Sequence, residues 1–396
     1  MCFTSEIKQA ALKVFQQNHP NEEVFGDITQ INAKDIPDFD FLLSGIPCQS
    51  FSFSGKRLGF DDTRGTLFFD VARILKEKQP FGFLIENVEG LVVHDKQNPK
   101  DKIGKTLQTM LDVLDDLGYE VSWKVLNSKY FGVAQERKRI YIVGTKKEAI
   151  SLGNFEEKQV LLKDILETGL PTVDTDFTKL LLSHYSTQEL HGKSIKDKRG
   201  GKNNIHSWDI ELKGKITDEQ KKLMNLIMTE RRKKKWAVEY GIDWMDGMPL
   251  TLQQIQTFNQ DENLEVMLED LVSKKYLKKE HPKKKVGKTR IQDETLPLGY
   301  NIVAGKISYE ISEILNPNDI TPTLVAMDMN HLYVADSDGL RQLSLTEGLR
   351  LFGYPDDYKF DVTKSEGFDL LGNTVVVPVI QAISERLLSG FVQDTQ

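Results

Sequence analysis

The chain has 396 residues, of which 39% are hydrophobic and 28% charged, and its formal net charge is −7. This composition leaves room for two or three globular domains and excludes collagen-like and disordered proteins. Two cysteines cannot form a disulfide framework. The sequence contains neither a run of 18 apolar residues nor a signal-peptide pattern, so we expect a cytoplasmic protein without a membrane span.

The first 145 residues alternate between short apolar runs and amphipathic stretches. The apolar runs predict four buried strands, at 39–43, 81–85, 121–126 and 139–143. Apolar residues at helical spacing predict two helices, over 64–79 and 102–117. Because alternating strands and helices are typical of a doubly wound, mainly parallel sheet, we expect an α/β domain here.

Residues 150–340 are more polar and contain two basic runs, at 231–235 and 274–290. Like-charge blocks are commonly a solvated surface, and the alternative is a face that neutralises phosphates. Charge alone does not decide between these two interpretations. On the second one, Arg231 and Lys284 are candidates for contact with a nucleic acid.

The segment 249–290 has a layout of its own, with two short helices predicted over 251–258 and 262–274 before lysine-rich residues. This order fits a helix–turn–helix followed by a basic wing, that is, a winged-helix-like segment. The commoner alternative is a pair of amphipathic helices that only pack on each other.

The compact pattern returns near the C-terminus, with helices predicted over 343–352 and 372–388. Asn373 or Thr374 can cap the second helix. We therefore expect one α/β domain built from 1–149 and 341–391, with 150–340 inserted as a second domain.

Several common cofactor motifs are missing from the sequence. It contains no G-x-G dinucleotide fingerprint, no G-x-x-x-x-G-K phosphate loop and no H-E-x-x-H or H-x-x-E-H zinc spacing. Nucleotide hydrolysis, hydride transfer and zinc catalysis therefore lose most of their support.

A cysteine follows the first predicted strand, within Ser44-Gly45-Ile46-Pro47-Cys48-Gln49. Open α/β sheets bind their ligands where strands end, although a free cysteine is often only a small buried side chain. Glu86 ends the next predicted strand and would lie beside Cys48 if the two strands are neighbours.

These segments belong to six ordered motifs: Pro47-Cys48-Gln49; Gly65-Thr66-Leu67-Phe68-Phe69-Asp70; Glu86-Asn87-Val88; Gln135-x-Arg137-x-Arg139; Arg341-x-Leu343-Ser344-x-x-Glu347-x-x-Arg350-Leu351-x-Gly353-Tyr354-Pro355; and Gly372-Asn373-Thr374-Val375. In this order and at this spacing the chain resembles the bacterial DNA cytosine-5 methyltransferases of restriction–modification systems. The resemblance covers about 1–145 and 320–390, and it implies a Rossmann-like methyltransferase fold with a target-recognition domain inserted at 150–340.

The resemblance implies a covalent mechanism. The Cys48 thiolate adds to carbon 6 of cytosine, which makes carbon 5 nucleophilic. Glu86 donates to ring nitrogen 3, Arg139 holds the base carbonyl, and Arg137 assists there or binds phosphate.

The same resemblance implies that the target cytosine is flipped out of double-stranded DNA. The loop 50–59, which contains Ser54, would close over the base beside Gln49. Asn87 and Gln135 would hold the base pocket together, and Thr323 lies in a segment that precedes the last two motifs.

The methyl donor implied by the resemblance is S-adenosyl-L-methionine, with no metal. Glu6 matches the acid that binds the ribose hydroxyls, and Asp27 matches the acid that binds the adenine amine. Five further residues would line the same site: Gly45, Pro47, Leu67, Asn373 and Val375.

The chain departs from the family at its start, where Met1 stands only five residues before Glu6 and a Phe-x-Gly-x-Gly strand and turn would be expected. Without that strand we expect poor cofactor binding or partial folding of this chain alone. A misplaced start codon, a decayed gene and a separate polypeptide that supplies the strand are the three explanations.

Two other functions stay open at this level. One is a truncated, catalytically silent DNA-binding remnant, and the other is a cytosine-5 methyltransferase that acts on RNA. For the leading function, a cognate restriction endonuclease is the expected partner in the same system.

Overall fold

The computed structural model describes residues 3–46, 67–242, 247–286, 289–304, 309–326 and 328–392. The chain divides into two compact units. The first is Met1–Glu167, Pro317–Asn330 and Ser344–Gln396, and the second is Thr168–Asn316 and His331–Leu343.

These units differ from the predicted domains, because 150–167 and 317–330 belong to the first unit. Backbone hydrogen bonds give the reason. The N–H of Leu162 donates to Asp319 (2.9 Å) and that of Thr321 donates to Ala134 (2.8 Å). Residues 341–343 fall in the second unit, where Arg341 pairs with Val334 in an antiparallel hairpin.

The first unit begins with seven helices and strands. In chain order these are α1 (Gln9–Asn18), β1 (Phe41–Gly45), α2 (Leu67–Lys78), β2 (Gly82–Val88), α3 (Lys105–Asp116), β3 (Glu120–Asn127) and β4 (Lys138–Thr145). The four predicted strands and both predicted helices are present, displaced by a few residues at their ends. The apolar stripes of α2 and α3 are buried against the sheet, and their buried residues include Phe68, Leu75, Leu107 and Leu114.

The sheet of these strands has the order β1-β2-β4-β3 and is mixed. β1 and β2 are parallel, whereas β4 runs antiparallel to both β2 and β3. The expectation of a mainly parallel sheet is corrected for these four strands. The short connection 128–137 joins β3 directly to β4, and a connection of this kind allows only antiparallel pairing.

The second unit contains six helices and nine strands among its described residues. They are α4 (Asp176–His184), α5 (Thr187–Leu190), β5 (Lys193–Ile195), β6 (Asn204–Ile205), α6 (Asp218–Glu230), α7 (Lys234–Glu239), α8 (Leu252–Gln256), α9 (Leu264–Ser273), β7 (Leu277–Glu280), β8 (Lys283–Val286), β9 (Thr289–Gln292), β10 (Gly299–Ile302), β11 (Glu313–Ile314), β12 (Leu332–Asp336) and β13 (Gly339–Gln342). Five of the strands form a sheet of order β13-β12-β11-β5-β6.

Within this unit, α8 and α9 lie where the sequence predicts a helix pair, and a strand hairpin follows them. β7 pairs antiparallel with β10, and β8 pairs antiparallel with β9. A continuous apolar core joins the helices to the β7–β10 pair, and its fully buried members include Leu223, Ile255, Leu268 and Tyr276. The predicted helix pair and the strands after it are present, and their interpretation as a helix–turn–helix with a basic wing stays a prediction.

The chain ends with three helices in the first unit: α10 (Leu345–Leu351), α11 (Lys364–Asn373) and α12 (Val377–Val392). The helix predicted over 372–388 is therefore wrong in its start. Asn373 is the last residue of α11, where its side chain donates to the Asp369 carbonyl (2.8 Å). Pro378 lies in the first turn of α12, where its missing N–H has no helical partner to lose.

One stretch, Lys364–Val392, is long and apolar enough to cross a membrane by length and composition. It consists of two helices separated at 374–376, and α12 has 16 residues. A spanning helix needs about 20 apolar residues, so neither helix alone meets that length. The stretch is weak evidence for a membrane span.

Candidate active site

Two charged side chains meet at the end of neighbouring strands. In β1 and β2, Gly45 pairs with Glu86, and in β2 and β4, Val88 pairs with Arg139. This register brings the Arg139 guanidinium to 3.1 Å from the Glu86 carboxylate. Both side chains are 14% exposed, so the pair is largely screened from water yet still reachable.

Burial dominates the electrostatics of this pair. It raises the pKa of Glu86, and the opposing effects of Arg139 and then Arg137 only partly offset the rise. A carboxyl group with a raised pKa stays protonated to a higher pH than usual. The site thus combines a carboxyl that can hold a proton with a fixed guanidinium beside it.

The end of β1 is fixed against β2 through Asn87. This side chain is 2% exposed and donates to the carbonyl of Ile46 (2.6 Å). The N–H of Ile46 in turn donates to the backbone carbonyl of Glu86 (3.4 Å). Both peptide groups of Ile46 are thereby held immediately before Pro47 and Cys48 in the sequence. Asn87 is a positioning residue for the strand end rather than a group aimed at a ligand.

Several predicted residues of this region lie outside the described residues. They are the nucleophile candidate Cys48, its neighbours Pro47 and Gln49, and Ser54 with the rest of the loop 50–59. Their roles stay predictions.

Arg137 points into the interior, which corrects the expectation that it contacts the base or a phosphate. It is 3% exposed, and its guanidinium donates to the carbonyls of Leu324 (2.9 Å), Gly372 (3.1 Å) and Thr374 (3.0 Å). Burial, followed by the neighbouring Arg139, lowers the pKa of Arg137 to about 10. Arg137 therefore links the strand end to two distant segments of the same unit.

Gln135 acts in the same way. It is fully buried, donates to the Leu351 carbonyl (3.0 Å) and accepts from the Leu324 N–H (3.3 Å). The predicted role of Gln135 in the base pocket stays a prediction, and its buried side chain is not accessible for direct contact with DNA.

A concave site of about 430 Å³ opens beside Arg139. Its lining is Val88, Glu89, Gly90, Glu136, Lys138, Arg139, Pro322 and Thr323. The Thr323 hydroxyl donates to the Glu136 carbonyl (2.7 Å), which holds segment 321–324 along this rim. Glu89 and Lys138 were not predicted as site residues, although each lies next to a motif residue in the sequence.

The acids predicted to hold the cofactor lie on two segments that run side by side. Ser5 and Phe25 form a parallel bridge, and the Glu6 N–H donates to the Phe25 carbonyl (3.0 Å). Oε1 of Glu6 accepts from two backbone N–H groups, at 2.8 Å each. Two hydrogen bonds from Thr29, first from its N–H and then from its hydroxyl, hold the pKa of Asp27 below its ordinary value.

These two carboxylates are hydrogen-bond acceptors, and they fit the hydroxyl and amine donors of the nucleoside part of S-adenosyl-L-methionine. Among the described residues, no hydrogen bond engages the second oxygen of either carboxylate, and these oxygens can accept from ribose hydroxyls or an amine. A Cβ built on Gly26 or Gly45 would meet no described atom within 4 Å, so none of the described residues fills the space beside either backbone.

The other predicted cofactor residues are more scattered in their contacts. Leu67 starts α2 and packs partly against the core, Asn373 is exposed at the end of α11, and Val375 is half-buried between α11 and α12. Their cofactor contacts remain predictions. Within the described residues, no group of three His, Cys, Asp or Glu side chains could hold a metal ion.

The predicted contact of Arg231 with DNA is also corrected. It is 4% exposed, and its guanidinium donates to the Asn301 side chain (2.7 Å) and the Lys198 carbonyl (3.0 Å). A buried guanidinium cannot bind phosphate, so the prediction of DNA contact is wrong for Arg231. Lys284 is half-exposed and pairs with Asp293 (3.1 Å), and its phosphate contact stays a prediction.

Replacing Arg231 by alanine is expected to lower the free energy of unfolding by about 2–3 kcal/mol, because Asn301 loses a charged buried partner. Lys234→Ala, on the exposed start of α7, should change it by less than about 0.5 kcal/mol. Urea unfolding of both variants measures the difference. Equal stabilities would show that the buried guanidinium contributes nothing.

Comparison with known proteins identifies the family. Residues 1–389 match the model of C-5 cytosine-specific DNA methylase. The chain is 64% identical over 386 residues to the Type II methyltransferase M.NlaIV of Neisseria lactamica and 62% identical over 386 residues to M.NgoBV of Neisseria gonorrhoeae. Each alignment covers 98% of this chain and 91% of the relative.

A solved structure shares the fold. The crystal structure of S. pombe Dnmt2 methyltransferase matches with a TM-score of 0.52 at 16% identity, over 99% of this chain and 91% of that one. The predicted methyltransferase fold and family are thus confirmed. With its six motifs, its strand-end acid and arginine, and a family match over nearly its whole length, the chain belongs to the C-5 cytosine-specific DNA methylases.

Proposed function

We propose that this DNA cytosine-5 methyltransferase modifies carbon 5 of a cytosine flipped out of duplex DNA, with Cys48, Glu86 and Arg139 as its catalytic residues. The observation that carries the proposal is the Glu86–Arg139 pair, 3.1 Å apart at the strand end that leads to Cys48 in the sequence. A flipped base is required because a thiol cannot reach carbon 6 of a stacked cytosine.

Glu86 supplies the proton that the addition step needs. When the Cys48 thiolate forms a bond to carbon 6, electron density moves into the ring, and a proton donated to nitrogen 3 neutralises it. The raised pKa of Glu86 suits this role, because it shifts the carboxyl towards its protonated, proton-donating form. The proton on carbon 5 later leaves, and the bond from carbon 6 to sulfur breaks.

Arg139 orients both the acid and the base. Its guanidinium holds the Glu86 carboxyl at one edge and borders the 430 Å³ concave site, where its remaining N–H groups can donate to the cytosine carbonyl. Its Nη1 also donates to the Lys138 carbonyl (2.8 Å), which limits rotation of the fork. A planar donor fixed in this way favours one orientation of the ring.

S-adenosyl-L-methionine, when bound, supplies an electrophilic methyl group. Glu6 and Asp27 would accept from its ribose and adenine, and Gly45 and Val375 would border it. The two acids are held for this purpose by backbone hydrogen bonds at 2.8–3.0 Å on neighbouring segments.

The second unit would recognise the target sequence, and a restriction endonuclease with the same site would be the partner in the cell. The Type II methyltransferase names of the two Neisseria relatives support this assignment. Methylation then protects the host's own copies of the site.

The test is Glu86→Gln, which keeps the shape of the side chain but removes its acidic proton. We expect methyl transfer to fall by about 10²–10⁴-fold. In the wild type, kcat/KM should decline as pH rises through the raised pKa of Glu86, and this decline should vanish in the variant. Transfer of labelled methyl to mixed-sequence duplex DNA between pH 5 and 9 measures both effects.

The matched control is Glu77→Gln on the exposed end of α2, which should leave rate and pH profile unchanged. A Glu86→Gln variant with wild-type activity and the same pH dependence would remove Glu86 from the mechanism.

A further inference from the structure

The hairpin of β8 and β9, Lys283–Val286 with Thr289–Gln292, is the most exposed ordered element of the second unit; we name it the basic ribbon. All four residues of β9 and three of β8 are exposed, so neither face of the ribbon packs on a core. Its eight residues carry four cations and no carboxylate: Lys283, Lys284, Lys285 and Arg290.

The arrangement of these cations opposes folding. Lys285 lies directly across from Arg290 in the antiparallel register, and like charges in that position destabilise a hairpin. The two apolar side chains, Val286 and Ile291, are 48% and 49% exposed and therefore contribute little burial. An isolated two-stranded hairpin is marginal even without repulsion. A sequence that places like charges and exposed apolar residues against local stability in this way is typical of functional surfaces.

Ion pairs with acids are found at the base of the ribbon and in the strand before it. Lys278 and Lys283 pair with Glu280 (2.8 and 3.5 Å), Lys279 pairs with Glu269 (2.6 Å) and Lys284 pairs with Asp293 (3.1 Å). Lysines near the base of the ribbon are thus matched by acids. The cross-strand position of Lys285 and Arg290 lies farther along the ribbon, one register position before Val286 and Thr289.

Helix α9 has the opposite charge. It is the second helix of the pair α8–α9, the position from which a helix–turn–helix usually enters the major groove. Its exposed residues include Glu265, Val266 and Glu269, and Asp261 and Glu262 are exposed just before it. An acidic surface of this kind repels phosphates instead of neutralising them.

We propose that the basic ribbon, and not the helix α9 that precedes it in the sequence, contacts duplex DNA. A two-stranded ribbon fits the width of the major groove. The face that carries Lys285 and Arg290 neutralises phosphates, while the acidic α9 surface is turned away from the duplex. This inference deepens the proposed function and rests on DNA being the substrate.

The experiment uses the full chain with Lys285→Gln and Arg290→Gln combined. Binding to a mixed-sequence duplex is measured by fluorescence anisotropy from 50 to 400 mM salt. Each lost phosphate contact should reduce the slope of log affinity against log salt by about 0.9, so we expect a reduction of about 1–2. Urea unfolding of the variant, compared with that of the wild type, checks that the variant is folded.

Two controls separate the ribbon from net charge and from α9. Lys222→Gln, on the exposed side of α6 in the same unit, removes a cation outside both basic runs and should leave the slope within error. Glu262→Gln with Glu265→Gln removes acids at α9 and should leave affinity equal or tighter. An unchanged slope in the ribbon variant, or a loss of affinity in the α9 variant, would overturn the inference.

A methyl-transfer assay on the same proteins distinguishes this inference from the proposed function. Wild-type chain that binds DNA with the full salt slope but transfers no methyl would contradict the proposed function and leave the ribbon assignment supported. Methyl transfer by the wild type, together with a salt slope that the ribbon variant leaves unchanged, would support the proposed function and contradict the ribbon assignment.

Discussion

Replacing Cys48 by alanine is expected to abolish methyl transfer, with a loss of more than about 1,000-fold. Without the thiolate there is no covalent bond to carbon 6, and carbon 5 of cytosine is too weak a nucleophile to accept a methyl group directly. Removal of a nucleophile has effects of this size in enzymes that work through covalent intermediates. Transfer of labelled methyl to duplex DNA measures the loss.

The control for this variant is Cys2→Ala, because Cys2 is the other cysteine of the chain. It should retain wild-type activity. DNA binding by Cys48→Ala should persist, since the proposed DNA contacts lie elsewhere. Methyl transfer by Cys48→Ala at a rate near that of the wild type would exclude the covalent mechanism.

Replacing Arg137 by alanine is expected to have the largest effect on stability. Its guanidinium is 3% exposed and donates to three backbone carbonyls, of Leu324, Gly372 and Thr374. Truncation leaves these acceptors without their donor, and breaking a buried charged network of this kind costs about 3–5 kcal/mol. Against a typical domain stability of about 5–15 kcal/mol, the first unit would be close to unfolding at 37 °C.

Arg139→Ala is the matched comparison, only two residues away. Its side chain ends at the site and not in the interior, so we expect a large loss of methyl transfer with a much smaller change in unfolding free energy. Urea denaturation should show the larger loss of stability in Arg137→Ala. The methyl-transfer assay should show that Arg139→Ala has lost activity although it stays folded. Arg137→Ala with wild-type stability and low activity would instead assign Arg137 to the chemistry.

Strands β1 to β4 and helices α2 and α3 of the first unit were predictable because local patterns determine them. Apolar spacing in α2 and α3 indicates which faces are buried, and short apolar runs locate β1 to β4 within a few residues. The direction of β4 was not predictable in this way, because strand direction depends on which neighbour the strand pairs with. The six motifs, read in order, were sufficient for the family.

Contacts between distant residues determined the rest. Arg137 and Arg139 belong to the same Q-x-R-x-R motif, yet one ends in the interior and the other at the site. The difference arises because the partners of Arg137 lie 187 to 237 positions away in the sequence, and only the folded chain brings those carbonyls to it.

In the second unit, tertiary contacts likewise determine which charged side chains are exposed. The sequence does not distinguish the cations of the two basic runs, but folding buries Arg231 against Asn301 and leaves Lys285 and Arg290 of the basic ribbon exposed. Sequence alone determined the family, the chemistry-bearing residue types and the local elements, since these depend on residue identity and spacing. Tertiary structure decided which cations face water, because burial is a property of contacts that residues far apart in the chain make together.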